Sequence, residues 1–433
     1  MALGGGTFTV QNKVLPGSYI NFVSTAASAV TLSDRGIVAM PLEFDWCVDG
    51  EIFEVTQEDF LKQSLSIFGY AYDHEKMKGL RDLFLNAQKA YFYKLNSEGA
   101  KATSTFGTAK HSGIRGNDLN VVVEKNVDDE TLFDVEVYLG TSRVDKQTVA
   151  KAADLVDNEF IKWDTAAELY ATAGLAFEGG TNGTVDGAKH QAFLDAAETY
   201  GFNTLGLVST DETIQKLYAA YVKRMRDSVG VKFQVVMHDY AGDYEGIINV
   251  KNKVIGDDSA SLVYWVTGAE AGCAVNKSIT NKKYDGEFSV EANYTQTQLE
   301  KAIKAGEFVF HKVGDDINVL TDINSLVTVV AEKNELFQSN QTVRVIDQIG
   351  NDIAVMFNTK YIGKIANDAS GRISLWTDIV KYMKELQTIR AIEGFEDDDI
   401  EVLPGATKTA VVVNTEIFIV NAMEKLYMTV NIE

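Results

Sequence analysis

Apolar positions recur every second residue in some stretches of the chain and at helical spacing in others, and the switches between the two periods divide it. Residues 7–23 (TFTVQNKVLPGSYINFV) read as extended: after a break at Pro16-Gly17, Tyr19, Asn21 and Val23 alternate with Ile20 and Phe22. A small-residue link, STAASA, follows. Residues 25–94 read as a small α/β unit. It has a strand at GIVAMPLEF, a helix capped by Thr56 with Phe60, Leu61, Leu65 and Phe68 inward, a second helix HEKMKGLRDLFLNAQ and a strand AYFYKL. From 95 to 180 the period is two, in KATSTFGTA, LNVVVEK, LFDVEVYLG and EFIKWDT, the spacing of a small β-sandwich or barrel. The glycine-rich FEGGTNGTVDG closes that stretch.

Residues 181–335 alternate helical and strand patterns: AKHQAFLDAAETY, TLGLV, DETIQKLYAAYVKRMRD, KFQVVM. This is the pattern of a parallel α/β layer. Ser209 with Glu212 and Thr295 with Gln298 read as capping boxes, the second helix stopping at Gly306. In residues 336–433, Val343, Ile346, Ile349, Ile353 and Met356 line one helix face, and Leu375, Ile379, Tyr382, Met383 and Leu386 line another. Two strands follow, TAVVVN with TEIFIV, and then KLYMTVNI. In this last stretch Leu426, Met428, Val430 and Ile432 fall on one face, and Tyr427, Thr429, Asn431 and Glu433 on the other. A half-buried strand of this kind needs a partner, in its own molecule or another. The expected class is α+β multidomain: an extended arm (1–24), a small α/β unit (25–94), a β-sandwich insert (95–180), an α/β domain (181–335) and a C-terminal α+β domain with a terminal strand (336–433).

At 433 residues the chain is long enough for about two to four domains, and 45% hydrophobic residues supply their cores. Charge narrows the function. With 62 acidic against 40 basic residues and a formal charge of −22, neither nucleic acid nor an anionic membrane is an expected direct partner. The chain has no run of 18 apolar residues, and MALGGGTFTVQNK lacks the basic region and apolar core of a signal peptide, so it reads as soluble and not exported by the usual secretory route. Cys47 and Cys273 are single and far apart, which suits a reducing compartment and not a disulfide framework.

Candidate chemistry is sparse. There is no G-x-S-x-G elbow and no phosphate or dinucleotide loop; GGTNGTVDGAK fits neither spacing. His74, His111, His190, His238 and His311 stand alone, so they read as surface or hydrogen-bonded histidines, with no metal or cofactor expected. The acidic run Glu396–Glu401 lacks the spacing and turn glycine of an EF-hand loop and reads as a solvated loop. Tyr218, Tyr221 and Phe233 read as core.

Several stretches, in order along nearly the whole chain, resemble the contractile-tail sheath proteins of tailed bacteriophages and phage-like particles. LPGSYINFVS looks like the family's Pro-Gly-x-Tyr opening strand, and GIRGNDLNVVV is similar to its Gly-Asn-x-Leu signature. AGCAVNKSITNKKYDG and KAGEFVFHKVGDDINVLTDINSLVT resemble its Asn-x-Ser-x-Thr-Asn-Lys and Asp-Ile-Asn-x-Leu stretches. NAMEKLYMTVNI resembles its terminal strand, with Asn421 where Asp is common. The resemblance implies a subunit of helically stacked rings around an inner tail tube, working with baseplate and tail terminator proteins, assembled in the bacterial host cytoplasm. It implies that the N-terminal arm (Tyr19, Ile20, Phe22, Val23) and the C-terminal strand (Leu426, Met428, Val430, Ile432) cross to neighbouring subunits, and that the α/β domain is of a subtilisin-like class without proteolysis. STAASA and VLPGATKT are then expected to be flexible links about which the domains turn on contraction, without nucleotide.

Two other readings stay open. One is a hydrolase with an unrecognised Ser/His/Asp set in the α/β domain; the other is a binding module in which residues 95–180 recognise a surface ligand.

Overall fold

Strand β1 (Ile37–Leu42) is IVAMPL, a run with no polar residue, and it is covered on both faces as such a run requires. It is followed by β2 (Ile52–Thr56), α1 (Gln57–Phe68), α2 (Lys78–Phe84) and β3 (Lys89–Lys94). The β-rich stretch supplies β4 (Thr103–Ser104), β5 (Gly107–Ala109), β6 (Leu119–Lys125), β7 (Phe133–Leu139), β8 (Ser142–Val149), β9 (Ile161–Trp163) and β10 (Thr172–Ala176). Next come α3 (Gly187–Ala197), β11 (Thr204–Leu207), α4 (Glu212–Arg224), β12 (Gln234–His238), β13 (Ile247–Val250), α5 (Leu262–Gly272), α6 (Gln296–Lys304), β14 (Glu307–Phe308), β15 (Phe310–Val313) and β16 (Asp316–Val319). The last part holds α7 (Asn340–Met356), α8 (Ala369–Thr388), β17 (Ile392–Glu393), β18 (Ile400–Pro404), β19 (Val411–Thr415) and β20 (Phe418–Ile419). This is a computed structural model that describes residues 32–432. The arm residues Tyr19, Ile20, Phe22 and Val23 lie outside that range.

One seven-stranded sheet, in the order β14-β13-β12-β11-β1-β3-β2, forms the centre. All its pairs are parallel except β2 with β3. The expectation of a separate unit over 25–94 is therefore corrected: β1 sits between β3 and β11, with Val38 opposite Ala90 on one side and Thr204 on the other. Local periodicity identifies each strand but carries no information on which strands it pairs with across an insertion. Successive side chains point to opposite faces. Val38, Met40, Phe92 and Val236 thus pack with Leu83, Val263 and Trp265 of α2 and α5, whereas Ala39, Tyr93, Val235 and Met237 pack with Phe193, Leu194 and Tyr218 of α3 and α4.

The β-rich stretch leaves this sheet after β3 and returns before β11. Its two sheets, β10-β6-β7-β8 and β4-β5-β9, enclose Leu119, Val121, Val123, Val135, Val137, Ile161 and Trp163 in a core of their own. Buried Lys94, the last residue of β3, ties the two parts together: its Nζ donates to the Ser112 carbonyl at 2.7 Å and lies 3.0 Å from the Asp49 carboxylate.

Several local expectations change. Leu61 is 58% exposed because α1 buries Phe60, Ser64 and Phe68, a row of four-residue spacing that leaves Leu61 a hundred degrees off the inner face. The second expected helix is reduced to a 3-10 turn, Glu75–Met77, and the short α2. The cap of α4 is Asp211, whose carboxylate accepts from the Thr213 and Ile214 amides; Ser209 instead accepts from the Asp211 amide. The box of Thr295 with Gln298 forms on α6. The acidic run is not a free loop along its length: after a 3-10 turn at Asp397–Asp399 it enters β18, so Glu401 is a strand residue. VLPGATKT is likewise the end of β18 and its turn into β19, not a link between domains.

Helix α7 departs furthest from its pattern. Of the expected apolar row, Val343 and Met356 are buried, whereas Ile346, Ile349 and Ile353 are only partly covered. Asn340, Gln341, Thr342, Arg344, Asp347, Gln348 and Asp352 are buried too, because the polar side of α7 lies against the central domain.

Candidate assembly surface

The contact of α7 with the central domain is a network of charge. Arg344 donates to Glu270 at 2.5 Å and to Asp322 at 3.2 Å, all three side chains being shut away from solvent. Asn340 adds a bond to Glu270 at 3.1 Å. Burial, and then the charge of Asp322, push the Glu270 carboxyl well above the usual carboxylate range. Burial works against ionised Asp322 as well, but Arg344 holds it below that range. A second fork, Arg226 to Asp347 at 2.5 and 2.7 Å, binds the turn after α4 to α7.

This network gives a rigid base for the C-terminal segment, which crosses α7 after β20. Gln341 donates to the Val420 carbonyl at 3.1 Å and accepts from the Ala422 amide at 2.9 Å. Asn421 bonds Thr342, and the Glu424 carboxylate accepts from the hydroxyls of Thr280 at 2.6 Å and Thr321 at 3.0 Å.

Beyond Glu424 the chain has no strand partner within the described residues, and the alternation expected of it is not expressed as burial. Leu426 is 86%, Met428 75%, Val430 67% and Ile432 93% exposed, with Tyr427 at 89% on the other side. Four large apolar side chains in a row in water mark a surface meant to be covered.

A second unpartnered feature lies on the same domain. β18 and β19 form a two-stranded antiparallel ribbon, with Val402 opposite Val413 and Leu403 opposite Val412. Its inner side is held on α8, where Trp376 donates from its indole nitrogen to the Ile400 carbonyl at 3.1 Å. Leu403, Val412 and Val413 are exposed, and both outer edges present backbone groups with no strand opposite among the described residues. The ribbon differs from the expected pairing of TAVVVN with TEIFIV: β19 pairs with β18, and β20 with β17. Its signal, the Val411–Val413 run facing Ile400–Leu403 across Pro404-Gly405, was present but had been divided between a loop and a different strand pair.

The histidines make no catalytic set among the described residues. His190 Nδ1 bonds the Tyr218 hydroxyl at 2.9 Å, and His111 stands edge-on to Trp46 at 5.1 Å between ring centres. No histidine bonds a serine hydroxyl there, and no group of three or more His, Cys, Asp or Glu side chains is placed to hold a metal ion. Tyr218, Tyr221 and Phe233 are core residues, as expected. No described helix is long and apolar enough to cross a membrane.

Three family descriptions match the chain in succession: phage tail sheath protein beta-sandwich domain over residues 97–182, phage tail sheath protein central domain over 183–325, and phage tail sheath C-terminal domain over 332–433. The chain is 34% identical to the phage-like element PBSX protein XkdK of Bacillus subtilis, over 99% of this chain and 100% of that one. Among solved structures, the sheath tail protein of Desulfitobacterium hafniense is 36% identical, with a TM-score of 0.82 over 96% of this chain and 100% of that one. The fold is also shared with the helical sheath of the anti-feeding prophage in its contracted state, at 14% identity and a TM-score of 0.58, over 97% and 99% of the two chains.

Proposed function

We infer how this molecule works from one premise: the chain belongs to the phage tail sheath protein family. It is a structural subunit of a contractile tail sheath, a component of a phage tail or phage-like particle. In our reading the subunits stack as helical rings around an inner tail tube between baseplate and terminator proteins, assemble in the host cytoplasm, and contract to drive the tube through the target envelope. The parallel sheet, of the subtilisin-like class that the family resemblance implies, serves as scaffold; fold alone assigns no chemistry. The hydrolase reading has no serine–histidine pair among the described residues to stand on.

The observation that carries the assembly mode is the bare tail beyond Glu424. Its apolar side chains have no cover among the described residues, and the β18–β19 ribbon has edges with no strand opposite among them. We therefore assign Leu426, Met428, Val430 and Ile432 to a strand donated to the ribbon of a second copy, and Tyr19, Ile20, Phe22 and Val23 to a second donated strand. A donated strand is a head-to-tail contact, and such contacts propagate instead of closing on a pair.

Burial of the four tail side chains is worth roughly 6–12 kcal/mol, and the new ladder bonds about 1 kcal/mol each. Ordering the tail costs roughly 8–16 kcal/mol. One strand alone is near balance, so the sheath holds by several donated strands acting together. Ending the chain after Glu424 tests this by sedimentation: the shortened protein is expected to stay a folded monomer at concentrations where the full chain forms large assemblies. Assembly of both at the same concentration would overturn it.

A further inference from the structure

Glu424 marks the point at which the C-terminal segment leaves its own body. Val420, Asn421 and Ala422 are each bonded to α7, and Glu424 is bonded to the central domain. Among the described residues, Lys425 to Ile432 make no hydrogen bond to the body, and their side chains are exposed.

The docking of Glu424 is set by how the hydroxyls around it are used. A hydroxyl has one proton to give and two lone pairs to receive. Thr280 Oγ already accepts from the Asp322 amide at 2.9 Å and from the Ser278 hydroxyl at 3.0 Å, so its proton is free only for an acceptor on the outer side. Glu424 supplies that acceptor, and its other carboxylate oxygen takes the Thr321 proton. The base beneath is fixed, since Asp322 also accepts from the Ile279 amide at 3.1 Å and from Arg344. The segment is thus fastened to both parts it crosses, α7 through Gln341 and Thr342 and the central domain through Thr280 and Thr321.

We propose that Glu424, clamped by the Thr280 and Thr321 hydroxyls, is a positioning residue that sets where and in which direction the C-terminal strand leaves the subunit toward a second copy. This rests on the reading of that segment as a donated strand. With the clamp closed, the free part from Lys425 to Ile432 reaches roughly 26 Å when extended. With Glu424 released and the bonds of Val420, Asn421 and Ala422 to α7 intact, the free part begins at Met423, reaches roughly 33 Å and sweeps roughly twofold more volume. The effective concentration of strand at its acceptor falls accordingly.

The test compares full-length protein with Glu424→Ala, Glu424→Gln and the chain ended after Glu424, reading the critical concentration for assembly and the melting temperature of the unassembled subunit. Glu424→Ala is expected to melt with the parent and to need about twofold more protein to assemble. Glu424→Gln is expected to assemble nearly as the parent, because its amide oxygen accepts from Thr280 and its NH2 donates to the Thr321 oxygen. Should Glu424→Ala melt lower, Thr321→Val serves in its place with the same expected rise. Assembly of Glu424→Ala at the parent concentration, or failure of Glu424→Gln as deep as that of Glu424→Ala, overturns the clamp. Normal assembly of the shortened chain overturns the donated strand itself.

Discussion

Arg344 carries one of the largest consequences of any single side chain in the molecule. Among the described residues it is the one cation that bonds the side chains of both Glu270 and Asp322, and Arg344→Ala leaves the Asp322 charge buried without that compensation. The expected loss is about 3–5 kcal/mol, read as a lower denaturation midpoint. His111 makes the fold sensitive to acid. Burial, with help from neighbouring Lys110, lowers its pKa to about 4 from an ordinary 6.5. The unfolded chain therefore takes up a proton before the folded one does. The contribution of neutral His111 is whole above about pH 6.5 and is lost as pH falls toward 4. Asp82 works the other way, since burial raises its pKa to about 6 and the folded state then gains as pH falls through 6 toward 4. His111→Phe isolates the first effect: between pH 7 and pH 5 its melting temperature should fall less than that of the parent, or even rise, and an identical fall in both proteins would remove His111 from the account.

At the level of elements, the β18–β19 ribbon makes the sharper prediction. Leu403 and Val412 face each other on its outer side and contribute little to the isolated subunit. Leu403→Lys with Val412→Lys should change subunit stability by no more than about 0.5 kcal/mol, yet block assembly in sedimentation; unaltered assembly would place the acceptor elsewhere. Legibility in the sequence divides along the same line. Elements that bury one apolar face were readable, as with Leu375, Ile379, Tyr382, Met383 and Leu386 of α8, all buried, or the alternation of Leu119, Val121 and Val123 in β6. Helix α7 was readable as a helix but not in its orientation, since its buried side holds Arg344, Asp347 and Gln348, whose partners come from distant parts of the chain. A hydropathy pattern counts such residues as solvent-facing. Pairing was the other loss. Nothing in Ile37–Leu42 announces that its neighbours are Lys89–Lys94 and Thr204–Leu207. In the tail, Leu426 to Ile432 carry the alternation of a strand but form none among the described residues and stay exposed.

For the whole molecule, an acidic body with apolar connectors fits a subunit that depends on other copies for its last contacts. The central sheet, the β-sandwich and the helical C-terminal part each have a core of their own, and the buried bonds of Arg344 and Arg226 hold the C-terminal part to the central domain. Contraction on this account is a change between two packings, driven by surface buried between neighbouring outer domains. Isolated extended sheaths should therefore shorten in nucleotide-free buffer, as followed by electron microscopy, and a requirement for ATP would contradict that. A cryo-electron-microscopy reconstruction of the helical assembly tests the central claim most directly. The account predicts density for Leu426–Ile432 as a strand laid along the β18–β19 ribbon of a different subunit. Density showing that segment folded back and paired within its own subunit, with the ribbon edges left bare, would contradict it.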